Sequence, residues 1–193
     1  VTTWHGFFHQ NLGRRLWPCT GDITMAISEP VRECLERDFH VPSARIRLIP
    51  HGIDPTPFES VIDPAAQQAV CDQARLTNGG PIIGTVARLV PSKGVDQLIR
   101  CLPTIRAAMP TARLLIVGQG TERGRLERLA DSLNVGHAVH FAGSLPETRV
   151  ALSLMQVFVF LPAQHEGFGL ALLEAMASGR PIVAVRQGGG APW

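Results

Sequence analysis

Residues 157–179 read Val157-Phe158-Val159-Phe160-Leu161-Pro162-Ala163-Gln164-His165-Glu166-Gly167-Phe168-Gly169-Leu170-Ala171-Leu172-Leu173-Glu174-Ala175-Met176-Ala177-Ser178-Gly179. An apolar run is followed by a short loop, by two glycines flanking Phe168, and by a stretch rich in Ala and Leu. Near-continuous apolar character over five residues predicts a strand buried on both faces. The stretch 168–178 carries helical patterning and stops at Gly179, so the reading is strand, glycine turn, helix. The alternation continues on both sides. Apolar runs stand at 82–87, 113–117, 138–142, 157–161 and 182–185, and helical patterns fill 94–108, 121–133, 146–155 and 168–178. Buried strands separated by helices predict an α/β domain with a doubly wound, Rossmann-like parallel sheet over 81–193.

Towards the N-terminus the runs are shorter. Residues 1–4, 22–28 and 45–50 are β-prone. Between the last two, 29–39 reads as a helix, with Ser28 as N-cap and Pro30 near the first helical position. The β–α–β order predicts part of a second parallel α/β domain over 1–53. Residues 54–80 change character, with Asp54-Pro55-Thr56-Pro57, Asp63-Pro64 and Asn78-Gly79-Gly80. They read as a linker carrying a short helix at 64–75, with a domain boundary near residue 80.

Composition narrows the function classes. The chain has 193 residues, and a net charge of +2 offers no basic stripe for nucleic acid. With 45% hydrophobic residues it is too apolar for disorder, yet no run approaches the length of a transmembrane helix. The four cysteines, Cys19, Cys34, Cys71 and Cys101, form no C-x-x-C and read as reduced cytosolic thiols. Residues 1–9 lack the basic and apolar regions of a signal peptide. Both ends of the chain read as cut.

Three turns could carry chemistry. At the first, Gly167 and Gly169 let backbone amides approach a ligand, and the helix N-terminus that follows suits an anion. Glu166 and Glu174 flank that turn, up to about 12 Å apart along the axis, so an extended ligand could be touched at both ends. Carboxylates accept hydrogen bonds from vicinal hydroxyls, which fits sugar or ribose better than a metal. A capped helix with two incidental acids explains the spacing equally well. At the second, Gly84-Thr85-Val86-Ala87-Arg88-Leu89-Val90-Pro91-Ser92-Lys93-Gly94, Arg88 and Lys93 lie on a loop at a strand's carboxyl end and suit a phosphate. Alone they read as solvated cations; a shared sheet edge with the first turn strengthens the case. The third, Val117-Gly118-Gln119-Gly120-Thr121-Glu122-Arg123-Gly124, misses the dinucleotide fingerprint by one residue, and no acid follows some 20 residues on, which disfavours a nicotinamide dehydrogenase. Gly118 then marks a tight turn beside a nucleotide base, or simply a β–α turn.

His5 and His9 are four apart, but no third ligand accompanies them, so no zinc site is expected. His5 ends the first strand before Gly6 and could face a cleft. His51, His137, His140 and His165 read as polar loop residues. Phe7, Phe8, Leu12, Leu16 and Trp17 with Arg14 and Arg15 form a basic amphipathic stretch, suited to a membrane surface or to buried packing.

Taken together, these residues resemble the retaining GT-B glycosyltransferases of the group 1 class, family 4. Glu166 to Glu174 resembles the family's E-x7-E motif, including Gly167-Phe168-Gly169. Arg88 and Lys93 resemble its paired cations. Arg47-Leu48-Ile49-Pro50-His51-Gly52-Ile53-Asp54 is similar to a linker motif that usually carries Asn where this chain has His51. Thr3-Trp4-His5-Gly6 resembles the family's N-domain turn, and Gln187-Gly188-Gly189 the glycine turn after the last donor-domain strand. No Ala-Asp pair precedes Val157, where many relatives have one.

The resemblance implies a GT-B fold, with 81–193 as a nearly complete donor domain and 1–53 as part of an acceptor-side domain. It implies transfer of a sugar from a nucleotide-diphosphate donor to an acceptor hydroxyl with retention. Arg88 and Lys93 would neutralise the diphosphate in place of a metal. The turn Gly167, Phe168, Gly169 and Leu170 would assist through its amides, and Gly118 would lie beside the nucleotide. Glu166 and His5 would reach the donor sugar, and Glu174 the ribose diol. No cofactor beyond the UDP- or GDP-sugar substrate, no metal and no nucleic acid is expected. The implied acceptor is a sugar, a lipid-linked sugar or a polysaccharide. The implied location is the cytoplasm or the inner face of the membrane, with peripheral contact. A non-catalytic nucleotide-sugar-binding fragment, or a GT-B epimerase or phosphorylase, are the rival readings.

Overall fold

The computed structural model describes residues 1–7, 20–76, 79–162 and 166–185. Expectations for His9, His165, Cys19, the stretch 8–17 and Gln187-Gly188-Gly189 lie outside the described residues. The chain divides into two compact units. One is built on Val1–Ile53 with the described part of Gln164–Leu170, the other on Asp54–Ala163 and Ala171–Val185.

The first unit holds β1 (Thr2–Trp4), β2 (Thr24–Ala26), α1 (Glu29–Phe39) and β3 (Ile46–Leu48). The strands pair in parallel in the order β1-β2-β3, as β–α–β order requires. α1 buries Val31, Cys34, Leu35 and Phe39, one face at helical spacing. Trp4 meets Phe39 edge to face, with ring centroids 4.7 Å apart. Burial pushes the Cys34 thiol up to about 11, helped by a hydrogen bond with Asp38, so it is protonated at neutral pH. Ser28 is the N-cap residue of α1 by position and backbone angle, but its side chain does not cap. Its hydroxyl is buried and has no partner among the described residues.

In the second unit, α2 (Thr56–Glu59) and α3 (Pro64–Ala74) precede β4 (Ile82–Val86). Then follow α4 (Val95–Ala108), β5 (Arg113–Val117), α5 (Arg123–Ser132), β6 (Val139–Gly143), α6 (Thr148–Leu154), β7 (Val157–Phe160), α7 (Leu170–Ala177) and β8 (Ile182–Ala184). All five strands run parallel in the order β6-β5-β4-β7-β8. Counted within the unit this is 3-2-1-4-5, the doubly wound order, and the direction of winding reverses between β4 and β7.

Over β4 to β7 both sheet faces are covered, which is why these strands read as continuous apolar runs, while the edge strand β8 is largely exposed. Leu114 and Ile116 of β5 enter the core under α4 and α5, with Leu98, Ile99, Leu102 and Leu126. The alternate residues, Leu115 and Val117, are equally buried on the other side. There α3 packs on β6 and α6. The stretch 54–80, expected as a linker, thus adds a helix to this unit: Val70 and Ala74 of α3 are buried, and Gln73 donates to the Ala142 carbonyl. Gly84 leaves room for the buried Met155; a Cβ there would lie within 2.6 Å of the Met155 Cγ.

Candidate functional site

Parallel pairing brings the carboxyl ends of β4, β5 and β7 to one edge of the sheet. The loop after β4 carries both cations of the sequence reading. Leu89, fully buried, anchors it between exposed Arg88 and the turn Pro91–Lys93. The Lys93 amide donates to the Val90 carbonyl at 3.1 Å, and Gly94 closes the turn with φ 65° before α4 begins. Lys93 is half-buried.

The loop after β5 packs directly against this one. Ala87 N donates to Val117 O, and Leu89 N to Gln119 O, both at 2.9 Å. Gly118, at φ +132°, donates its own N–H to the Gly143 carbonyl at 2.8 Å. A Cβ on Gly118 would collide with the Ala87 carbonyl, and one on Gly120 with that of Leu89. The first two glycines of the pattern that failed as a dinucleotide fingerprint therefore have a local cause: Gly118 and Gly120 each admit a backbone carbonyl of the cation loop.

Glu174, the second acid of the motif, is half-buried on α7. Its Oε2 accepts a hydrogen bond from Thr148 Oγ1 at 2.8 Å. Thr148 was not a sequence candidate. The pair is 26 residues apart and belongs to no motif, so no sequence signal could have found it.

The other candidates belong to the first unit. Gly167 packs on the turn after β1: a Cβ there would sit 2.7 Å from the His5 carbonyl oxygen and 3.0 Å from Gly6 Cα. Phe168 is buried, Gly169 has φ +86°, Glu166 is half-buried and Leu170 is exposed. The His5 ring lies nearly parallel to the His51 ring, with centroids 5.3 Å apart, and Nδ1 of His5 is 3.2 Å from Nε2 of His51. One ring donates the proton that the other accepts. His51 also meets the Phe168 ring edge-on at 5.7 Å. His51 lies in a loop, as the sequence suggests, and its ring stands between His5 and the motif phenylalanine. The expectation of a polar loop residue is corrected for His140. His140 is buried in β6, its Nδ1 lies 3.2 Å from the Ala74 carbonyl, and burial lowers its pKa. A strand buried on both faces has no solvent side to which a polar residue can turn.

Among the described residues, no group of three or more His, Cys, Asp or Glu is arranged to hold a metal ion. No described helix is long and apolar enough to cross a membrane.

A doubly wound sheet with cations at its switch point and an acid-flanked glycine turn before α7 defines an α/β protein of the GT-B type. Residues 68–192 match the family described as glycosyl transferases group 1, and the chain belongs to that family. It is 36% identical over 176 residues to the GDP-mannose-dependent alpha-(1-6)-phosphatidylinositol monomannoside mannosyltransferase of Mycolicibacterium smegmatis, an overlap of 87% of this chain and 45% of that protein. It is similar in structure to a glycosyltransferase from Rickettsia africae, with a TM-score of 0.81 and 18% identity, covering 97% of this chain and 52% of that one. Anabaena HepE, solved with UDP and glucose, gives a TM-score of 0.74 at 22% identity, covering 88% of this chain and 46% of that one. At such identities these structures speak to fold. The chain spans about half the length of the curated relatives it matches.

Proposed function

We propose that this chain carries the donor-binding part of a glycosyltransferase that moves a sugar from a nucleotide-diphosphate sugar to an acceptor hydroxyl with retention at the anomeric carbon. Arg88 and Lys93 on the loop after β4 carry the reading, in a chain of the glycosyl transferases group 1 family. In it, 81–193 binds the donor, 1–53 is the acceptor side, and 54–80 connects them in sequence. Arg88 engages the diphosphate through its planar fork and Lys93 as a point charge. These cations, not a metal, neutralise the charge on the departing nucleotide. The backbone of Gly167, Phe168, Gly169 and Leu170 assists, and the Gly118 turn lies beside the nucleotide. Glu174 accepts from the ribose diol, Glu166 holds hydroxyls of the sugar, and His5 reaches that sugar near the reacting carbon. Catalysis rests on positioning and on stabilising the leaving diphosphate.

The donor proposed is GDP-mannose. The support is the named donor of the Mycolicibacterium smegmatis relative, whose identity with this chain, 36%, exceeds the 22% of the UDP-bound structure. That relative also suggests a lipid-linked acceptor, presented at the inner face of a membrane. The test is incubation of the full-length protein with GDP-mannose, a mannosylated phosphoinositide and EDTA, followed by NMR of the new linkage. Transfer with an α-linked product is expected. A β-linked product would overturn retention, and loss of transfer in EDTA would overturn the role given to the cations. Transfer from UDP-sugars alone would overturn the donor.

A further inference from the structure

The hydrogen bond between Thr148 and Glu174 joins two elements with no sequence relationship. Thr148 is the first residue of α6, a position from which Thr often serves its own helix. Here the N-cap is Glu147, no side chain caps, and the Thr148 hydroxyl donates to Glu174 Oε2 instead. Both ends of the bond are held. Arg149 Nε donates to Glu147 at 2.8 Å and its Nη1 to the Pro57 carbonyl at 3.3 Å, while Val150, Ala151 and Leu152 are buried. On α7, Ser178 Oγ donates to the Glu174 carbonyl at 2.9 Å, and the neighbouring Ala175 is fully buried. Thr148 is β-branched, which restricts its χ1 and so the positions open to its Oγ1. Glutamate has three side-chain torsions and much rotamer freedom to lose.

An ionised carboxylate offers about four lone-pair positions. Thr148 takes one on Oε2, and Oε1 has no hydrogen bond among the described residues. Two hydroxyls on adjacent carbons need two acceptor positions in fixed relation, which a freely rotating carboxylate supplies only part of the time. We propose that Thr148 is a positioning residue for nucleotide binding: it fixes the Glu174 carboxylate so that its remaining lone pairs accept both hydroxyls of a ribose. This rests on the reading of Glu174 as the ribose ligand. Thr148 thereby makes the chain selective for ribonucleoside diphosphates over those lacking the diol.

The test is calorimetry of the chain with GDP and with 2′,3′-dideoxy-GDP, for wild type, Thr148→Val, Thr148→Ser and Glu174→Ala. Thr148→Val keeps the branched shape and removes the donor. It lowers GDP affinity about tenfold, in the range of a hydrogen bond to a charged group. It leaves dideoxy-GDP affinity unchanged, and Thr148→Ser stays within about twofold of wild type for both ligands. The dideoxy nucleotide also reports folding, because a misfolded variant loses both ligands. Equal weakening of both ligands by Thr148→Val, or no change in either, overturns the inference. If Glu174→Ala discriminates the two nucleotides while Thr148→Val does not, only the positioning role falls. If Glu174→Ala fails to discriminate them, the ribose reading falls and the inference with it.

Discussion

Replacing Gly118 with alanine tests whether the two loops at the sheet edge depend on one another. Gly118 sits at φ +132°, in a region that residues with a Cβ rarely adopt. Strain of this kind costs about 1–3 kcal/mol. The added Cβ would also press on the Ala87 carbonyl group, 2.9 Å from its carbon. Ala87 cannot retreat freely, because its N–H is bonded to Val117 O at 2.9 Å and Leu89 is bonded to Gln119 O just beyond. Overpacking against such a neighbour adds about 1–3 kcal/mol. The sum, about 2–6 kcal/mol, is a large share of the roughly 5–15 kcal/mol that stabilises a typical domain. For a chain of this size each kcal/mol moves the midpoint by about 2–4 °C, so a drop near 12 °C is expected. Gly124→Ala is the matched control. It lies in α5, and among the described residues its Cβ would meet only Arg128 Nη1, at 3.5 Å. Alanine there gains up to about 1 kcal/mol of helix propensity and should hold or raise the midpoint. Thermal unfolding followed by circular dichroism reads both variants. A Gly118→Ala midpoint within about 2 °C of wild type would refute the reasoning, as would an equal fall in both variants.

Three further outcomes are expected. Arg88→Ala and Lys93→Ala should each weaken GDP binding by about 1.5–3 kcal/mol with little change in melting, because the buried Leu89 anchors their loop; unchanged affinity in calorimetry would remove the phosphate assignment. His140 has its pKa lowered by burial, so the unfolded chain binds its proton more readily. Stability is then full above the ordinary imidazole value of about 6.5 and falls as pH drops from there towards the depressed folded value. Melting curves between pH 7.5 and 5 should show less of this decline in His140→Gln, and an identical decline would assign it elsewhere. His51→Phe keeps an aromatic ring against Phe168 but removes the bond to His5, so transfer by the full-length protein should slow about two- to tenfold while GDP affinity holds; equal loss of both would make the role of His51 purely structural.

The five-stranded sheet was legible because four of its strands, β4 to β7, are largely buried on both faces. Ile82–Val86 and Arg113–Val117 announce themselves as apolar runs, and α3 follows the Asp63-Pro64 signal, with Asp63 Oδ1 accepting from the Ala65 amide at 2.9 Å. Local rules failed where tertiary contacts decide. Ser28 has the identity and backbone of an N-cap, yet its buried hydroxyl makes no cap hydrogen bond. His140 reads as a loop residue until its strand is seen to pass the end of α3, where the Ala74 carbonyl meets it. Arg88, Lys93 and Gly118 could be placed on their loops from the strand-to-helix pattern alone. The partners of His5 and Glu174 could not, because His51 and Thr148 lie 46 and 26 residues away and reach them only through the fold.

The central claim is that the switch point of this sheet binds a nucleoside diphosphate through Arg88 and Lys93 without a metal. Calorimetric titration of the chain with GDP, UDP and ADP in EDTA tests it directly, with a circular dichroism melt on the same sample to establish that it is folded. The account predicts saturable binding of GDP at one site, lost or strongly weakened in Arg88→Ala. A cooperatively melting chain that binds none of the three nucleotides would contradict it.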